Sequence, residues 1–313
     1  MQHIFRKAFL ALALVGTALT ASAEHWALSG DLGVHDPAII KEGNTWWTFS
    51  TGDGLQVLYS ADGKAWNRGS KIFSSRPSWW KTSVPAHTGL DVWAPDVVNY
   101  NGKVWLYYSI SSFGTNTSAI GLMSATSIAK GDWSDKGKVI STKAGSNDYN
   151  AIDPNLTFDA SGQPYLVFGS WFSGIKIVKI DKSTMKPTGS VSTLAKRSGG
   201  IEGPTVFYRE GYYYLFVSID KCCSGTSSTY KTAYGRATKI TGPYVDKNGK
   251  KMTDGYSTVL DAGNARWVGP GGQDIYRENG FSIIARHAYD ATANGAPKLL
   301  ISDLKFSGGW PTY

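Results

Sequence analysis

Three acidic residues stand beside prolines that recur along the chain: Asp36-Pro37, Asp153-Pro154 and Glu202-Gly203-Pro204. Taken singly, an Asp-Pro pair only opens a strand, because Asp is a good turn residue. The recurrence is what suggests chemistry. Carboxyl groups that share one space repel, so some must hold a proton at unusually high pH or find a compensating partner. Such a cluster is a candidate acid–base centre. Two carboxyl groups about 6.5–9.5 Å apart are suited to inverting glycoside hydrolysis, with one acting as acid and the other as base.

The elements that position these residues are written five times. His35-Asp36-Pro37-Ala38-Ile39-Ile40 leads through Gly43-Asn44 to Trp46-Trp47-Thr48-Phe49. The same order of proline, short apolar strand, turn and aromatic strand recurs after Pro95, Pro154, Pro204 and Pro270, at intervals of 58, 59, 50 and 66 residues. Proline has no N–H to donate and suits the first residue of a strand. Asn and Gly supply the hairpin turn. Third strands are legible over 56–60, 119–125, 174–180, 232–237 and 298–302. Units of this kind, repeating at about 40–50 residues or slightly more, read as propeller blades. The expectation is an all-β, five-bladed β-propeller in a single domain, residues 24–313. First strands line the channel of a propeller, so Asp36, Asp153 and Glu202 converge at one mouth. Ala94 and Gly269 fill the equivalent slots of the other two blades and leave room there. Asp96, one step past its proline, points away from the mouth on strand alternation. The longer irregular stretches, 77–90 and 141–150, are candidates to wall a groove.

Residues 1–23 read as a signal peptide. Arg6 and Lys7 precede an apolar run from Phe9 to Leu19, too short to span a bilayer comfortably, and Ala21-Ser22-Ala23 is an A-x-A cleavage site. The mature chain of 290 residues is expected to be secreted, extracellular or periplasmic, with a net charge of +6. No basic run alternates with stacking aromatics, so nucleic acid is not the expected partner; neither is a membrane. The charge favours solubility or adhesion to an anionic polysaccharide. With 12 Trp and 17 Tyr, some aromatics are available as sugar platforms beyond those in the core. The only cysteines, Cys222-Cys223, are adjacent. Adjacency leaves open two unlinked residues or a vicinal disulfide stiffening a loop; the export signal leads us to expect the oxidised pair. There is no His-Glu-x-x-His, no Walker loop and no Gly-x-Ser-x-Gly elbow. His25 and His87 lack local partners and are assigned to the surface or to loops.

Taken together, His35-Asp36-Pro37, Leu90-Asp91-Val92-Trp93-Ala94-Pro95-Asp96, Ser111-Ser112-Phe113-Gly114, Tyr149-Asn150-Ala151-Ile152-Asp153-Pro154-Asn155, Gly200-Ile201-Glu202-Gly203, Gly269-Pro270-Gly271-Gly272 and Gly309-Trp310-Pro311 resemble glycoside hydrolase family 43, and within it the endo-α-1,5-L-arabinanases. The resemblance spans nearly the whole mature chain and implies the same five-bladed fold. It implies that Asp36 is the general base, Glu202 the general acid, and Asp153 the third carboxylate that keeps Glu202 protonated and oriented. It places Trp93, Phe113, Gly114, Asn150, Ala151, Ile152, Ser170, Trp171 and Phe172 in the sugar cleft. It makes His287 the holder of a single cation, usually calcium, with water completing the shell. No organic cofactor is implied. Arabinan and arabino-oligosaccharides are the implied partners, and a monomer is expected. Ile201 departs from many relatives. Two rivals remain: an exo-acting arabinosidase, xylosidase or galactosidase of the same fold, and a non-catalytic carbohydrate-binding propeller, which the presence of all three acids argues against.

Overall fold

The computed structural model describes residues 24–313; the signal-peptide expectation for residues 1–23 lies outside them. Five antiparallel sheets, each begun by one of the expected hairpins, form a five-bladed β-propeller. The first blade runs Ala38–Glu42, Thr45–Ser50, Gln56–Ser60 and Ala65–Arg68, and the last runs Trp267–Glu278, Phe281–Asp290 and Ala296–Asp303. The second, third and fourth blades begin with Asp91–Tyr100, Asn155–Phe158 and Ile201–Arg209.

Strand alternation explains how the blades adhere. Along Lys103–Ile110, Val104, Leu106 and Tyr108 pack toward the first blade, while Trp105 and Tyr107 pack toward the third. Successive side chains leave a strand on opposite faces, and both faces here are covered, so the strand is apolar from Val104 to Tyr108. Each of the five apolar clusters joins residues of neighbouring blades. The last blade is completed by the start of the described chain. Trp26 N–H donates to Ile301 O at 2.8 Å, and Leu299 N–H to Leu32 O at 2.8 Å, while Ser29–Gly30 pairs with Ala65–Arg68 of the first blade.

The residues before the five marker prolines share one conformation. Asp36, Ala94, Asp153, Gly203 and Gly269 have φ of 49°, 39°, 56°, 56° and 60°. Glycine takes this left-handed corner freely, Asp tolerates it, and Ala takes it at a cost. The first strands of the second, fourth and fifth blades slip register here. The corner turns its N–H toward the preceding blade, where a side chain receives it. Ala94 N–H donates to Thr51 Oγ1 at 2.8 Å, Asp153 N–H to Ser109 Oγ at 3.0 Å, and Asp36 N–H to His287 Nδ1 at 3.1 Å. Gly203 N–H donates to Asp153 Oδ2 at 3.0 Å, and in the fifth blade Gly272 N–H donates to Ser218 Oγ at 2.9 Å.

A second set of links lies deeper. Asp96 Oδ2 accepts Leu156 N–H at 2.7 Å, Asn155 Oδ1 accepts Val206 N–H at 2.9 Å, and Asp274 Oδ2 accepts Ile39 N–H at 2.8 Å. Asp96 is therefore structural, and it lines the axial cavity and not the wider cleft at the channel mouth. Burial, with repulsion from Asp274, pushes its carboxyl up to about 8.

Some expectations are corrected. Residues 77–90 do not wall a groove: Ser78–Ser83 is a short helix, and it drives Trp80 and Val84 into the interface between the first two blades. His87 is buried against Trp80, not on the surface, and His25 bonds Ser302 and Arg286. Asn155 carries two interblade links, since its Nδ2 also donates to Asp96 Oδ1 at 3.0 Å. Asn155→Ala would leave two buried groups unpaired and is predicted to cost about 2–4 kcal/mol, read by denaturant unfolding. A loss below about 0.5 kcal/mol would contradict this role for the links.

Candidate active site

The corners bring Asp36, Asp153 and Glu202 to one cleft of about 880 Å³ at the channel mouth. Asp36 is the most heavily partnered. Its Oδ2 bonds His35 Nδ1 at 2.7 Å and accepts the Thr51 hydroxyl at 2.8 Å. Burial pushes its carboxyl up, but the His35 charge and hydrogen bond, with His287 and Thr51, outweigh this and hold it well below the usual carboxylate range. His35 responds in the opposite sense: burial pulls its imidazole down, and Asp36 raises it to a net value above the ordinary one. The result is a half-buried pair in which each partner favours the charged form of the other. Asp36 contributes stability above its unfolded value of 3.8 and loses it as pH falls through its depressed folded value. The His35 contribution is complete below 6.5 and is lost as pH rises through its raised value.

Glu202 shows the opposite behaviour. Burial raises its carboxyl, and the Asp36 charge adds to the rise. Ser170 Oγ donates to Oε2 at 2.6 Å and Tyr230 Oη to Oε1 at 2.7 Å, which partly offset it. Asp153 is pushed well above the carboxylate range by burial and by the charges of Glu202 and Asp36. Burial is the leading cause of the Glu202 shift, with the Asp36 charge adding to it, and Glu202 and Asp153 repel each other as neighbouring carboxyls must. Asp153 also fixes Glu202 by accepting the Gly203 N–H. One ionised carboxylate beside one protonated carboxyl is the division that acid–base hydrolysis needs. The room expected of Gly269 is provided by Gly272, where a Cβ would lie 2.3 Å from Asp36 Oδ1.

A sequence profile of glycosyl hydrolases family 43 matches residues 31–311. The chain belongs to that family. It is 56% identical to extracellular endo-alpha-(1->5)-L-arabinanase 1 of Bacillus subtilis, across 99% of this chain and 96% of that protein. It is 37% identical to the extracellular exo-alpha-(1->5)-L-arabinofuranosidase ArbA of Cellvibrio japonicus, across 99% of this chain and 93% of that one. Among solved structures, a family 43 endo-arabinanase from Bacillus licheniformis superposes with a TM-score of 0.88 at 55% identity, covering 92% of this chain and all of that one.

For a family 43 hydrolase the cleft walls matter as much as the acids. Trp93, Phe113, Gly114, Asn150, Ile152, Ser170, Trp171 and Phe172 line the cleft. Phe113 is 79% exposed and Phe172 54%, far more than a folded core would leave, so both present open aromatic faces at the cleft. Trp171 and Phe172 sit at φ of 54° and 44°, held by Trp171 N–H to Ile201 O at 2.8 Å. Asn150 Oδ1 is buried without a partner among the described residues. Ala151 does not line the cleft: it is fully buried in the interface of the second and third blades, its N–H bound to Thr142 Oγ1.

His287 lies wholly buried behind Asp36. His35, Asp36 and His287 offer ligand atoms within 4.8 Å of one another, a cluster that could hold a metal ion. Both His35 nitrogens are already engaged, by Asp36 and by Tyr289 Oη, and His287 Nδ1 accepts the Asp36 N–H. His287 Nε2 is buried and lacks a partner among the described residues. Burial holds this imidazole neutral at about 3. A cation at Nε2 requires the tautomer with its proton on Nδ1, which then no longer accepts the Asp36 N–H and faces Asp36 Oδ1 at 3.5 Å; in that tautomer the set fits a cation held by one imidazole and otherwise by water.

Sequence reasoning missed Tyr230, Thr51 and Tyr289, and gave His35 no role of its own. Tyr230 and Thr51 reach the acids from elsewhere in the same blade and Tyr289 reaches His35 from the last blade, separations that no local motif reveals. Tyr230→Phe removes a donor that favours ionised Glu202, so the acid stays protonated to higher pH. The alkaline limb of the pH–rate profile is predicted to move upward while kcat falls by about tenfold. A limb that stays in place or moves down would contradict the role of Tyr230.

Proposed function

We propose that the chain is an exported endo-acting hydrolase of α-1,5-L-arabinan, cutting internal bonds by single displacement with inversion. The observation that carries this reading is the pairing of an ionised Asp36 with a raised Glu202 in one aromatic-walled cleft. The endo preference rests on 56% identity to a protein named as an endo-arabinanase, against 37% to one named as an exo-acting enzyme. Export is supported by the leader features of residues 1–23 and by the extracellular names of both relatives.

In this reading Asp36 is the general base. His35 and Thr51 occupy its Oδ2, leaving Oδ1 to take a proton from the attacking water. Glu202 is the general acid, protonating the leaving oxygen on the opposite face of the sugar. Asp153 holds the Gly203 amide and so the direction of Glu202. Trp93, Phe113, Trp171 and Phe172 receive sugar faces, and Asn150 Oδ1 accepts a sugar hydroxyl. His287, with water, would hold the single cation, calcium in the family the sequence resembles, and the charge of that cation would favour ionised Asp36. The catalytic unit is a monomer of residues 24–313 with no organic cofactor.

Asp36→Ala should be nearly inactive on every substrate. Glu202→Ala should lose most on poor leaving groups and be partly spared on an activated aryl arabinoside. Proton NMR of the first product formed is expected to show a β-configured reducing end; an α-configured one would refute inversion. Linear arabinan should yield oligosaccharides before arabinose, and arabinose alone from the start would favour the exo reading. For the cation, His287→Ala is expected to lose both activity and protein-bound metal measured by mass spectrometry. Unchanged activity in this variant and after chelation would exclude the role.

A further inference from the structure

The cleft has one wall that the reading above does not use. Cys222 and Cys223 are joined as a vicinal disulfide at its edge, with Cys222 half-buried and Cys223 exposed. A bond between adjacent cysteines closes a small ring that includes the peptide group between them. The N–H of that peptide is the Cys223 N–H, and it donates to Tyr289 Oη at 2.8 Å. Tyr289 Oη in turn bonds His35 Nε2 at 2.8 Å, and His35 Nδ1 bonds Asp36 Oδ2 at 2.7 Å. The remaining freedom of the His35 ring is limited by its stack on His287, with centroids 3.7 Å apart.

We propose that the disulfide loop is a positioning device for the catalytic base, acting through Tyr289 and His35. Cys222, Cys223 and Tyr289 are positioning residues, since none of them needs to touch the reacting atoms. The ring holds one amide at a fixed place, that amide places the Tyr289 hydroxyl, and the hydroxyl fixes the imidazole that orients Asp36. Both ends of the loop are anchored independently of the ring. Asp220 bonds Arg197 at 2.6 Å and Lys231 at 2.7 Å, and Ser224 N–H donates to Ser228 Oγ at 3.0 Å. Opening the ring therefore frees the amide without releasing the loop. Displacing a reacting group by about 1 Å costs up to about a hundredfold in rate. The inference rests on Asp36 being the base.

The experiment uses the whole enzyme and linear α-1,5-arabinan. Dithiothreitol converts the disulfide to two thiols and is itself oxidised to its cyclic disulfide; alkylation and intact mass verify the opening. Reduction is expected to lower kcat by about tenfold with KM changed less than about twofold. Cys222→Ser with Cys223→Ser should give the same split without reductant. Tyr289→Phe should lower kcat comparably and then be indifferent to dithiothreitol, because the link is already cut. Three results would overturn the proposal: an unchanged kcat in the reduced enzyme, a raised KM with kcat intact, which would make the disulfide a sugar-binding wall, or a Tyr289→Phe enzyme that responds to reductant as the parent does. Failure of the underlying reading is separate, since it would appear as activity surviving in Asp36→Ala whatever the redox state.

Discussion

Each blade begins with a left-handed corner, before the proline in four blades and at Gly272 in the fifth, whose N–H is bound by a neighbouring blade's side chain, and the rest of the structure depends on that corner. It restricts the residue before the proline to types that accept positive φ. Aspartate is among them and glutamate is not favoured there, so two acids occupy the corner itself and Glu202 stands one residue earlier, before Gly203. The chemistry is thus confined to positions that the backbone already distinguishes. Ala94 is the exception, at φ 39°, and nothing but the shared corner explains its conformation.

The three carboxyls, Glu202 buried and Asp36 and Asp153 half-buried, are separated by their partners, not by distance from water. Asp36 receives a charged imidazole and a hydroxyl, Glu202 two hydroxyls, and Asp153 one backbone amide. A buried carboxylate is tolerable only where charge or hydrogen bonds replace its hydration. That condition is met most fully at Asp36, which is why the negative charge settles there and the proton is driven toward the other two. His287 fits the same logic. It takes the place in its blade that Thr51, Ser109 and Ser218 take in theirs, receiving a neighbour's corner N–H.

Much of this was legible in the residues because the signals are local. Proline, turn pair and alternating apolar strand recur within each hairpin, so blade number and the convergence of Asp36, Asp153 and Glu202 follow from the spacing. What escaped depends on residues distant in sequence. The Tyr230 bond to Glu202 spans 28 residues and the Tyr289 bond to His35 spans 254. Ala151 sits among cleft residues in sequence, yet it packs into the interface between blades, its N–H bound to Thr142 Oγ1. Residues 77–90 read as loop because a single helical turn carries too few residues to show a period, and the burial of Trp80 is decided by the groove it fills.

The seam at the last blade has a consequence for how the molecule is made. The stretch from Trp26 to Leu32 bonds Ile301 and Leu299, near the other end of the chain. Synthesis delivers this stretch early and its partner almost last. Until Ala296–Asp303 arrives, the stretch has an unsatisfied edge and the ring cannot close. Four blades can therefore assemble in order as they emerge, but the fifth must wait, and a fragment ending before residue 296 would be an open arc offering that edge to another chain.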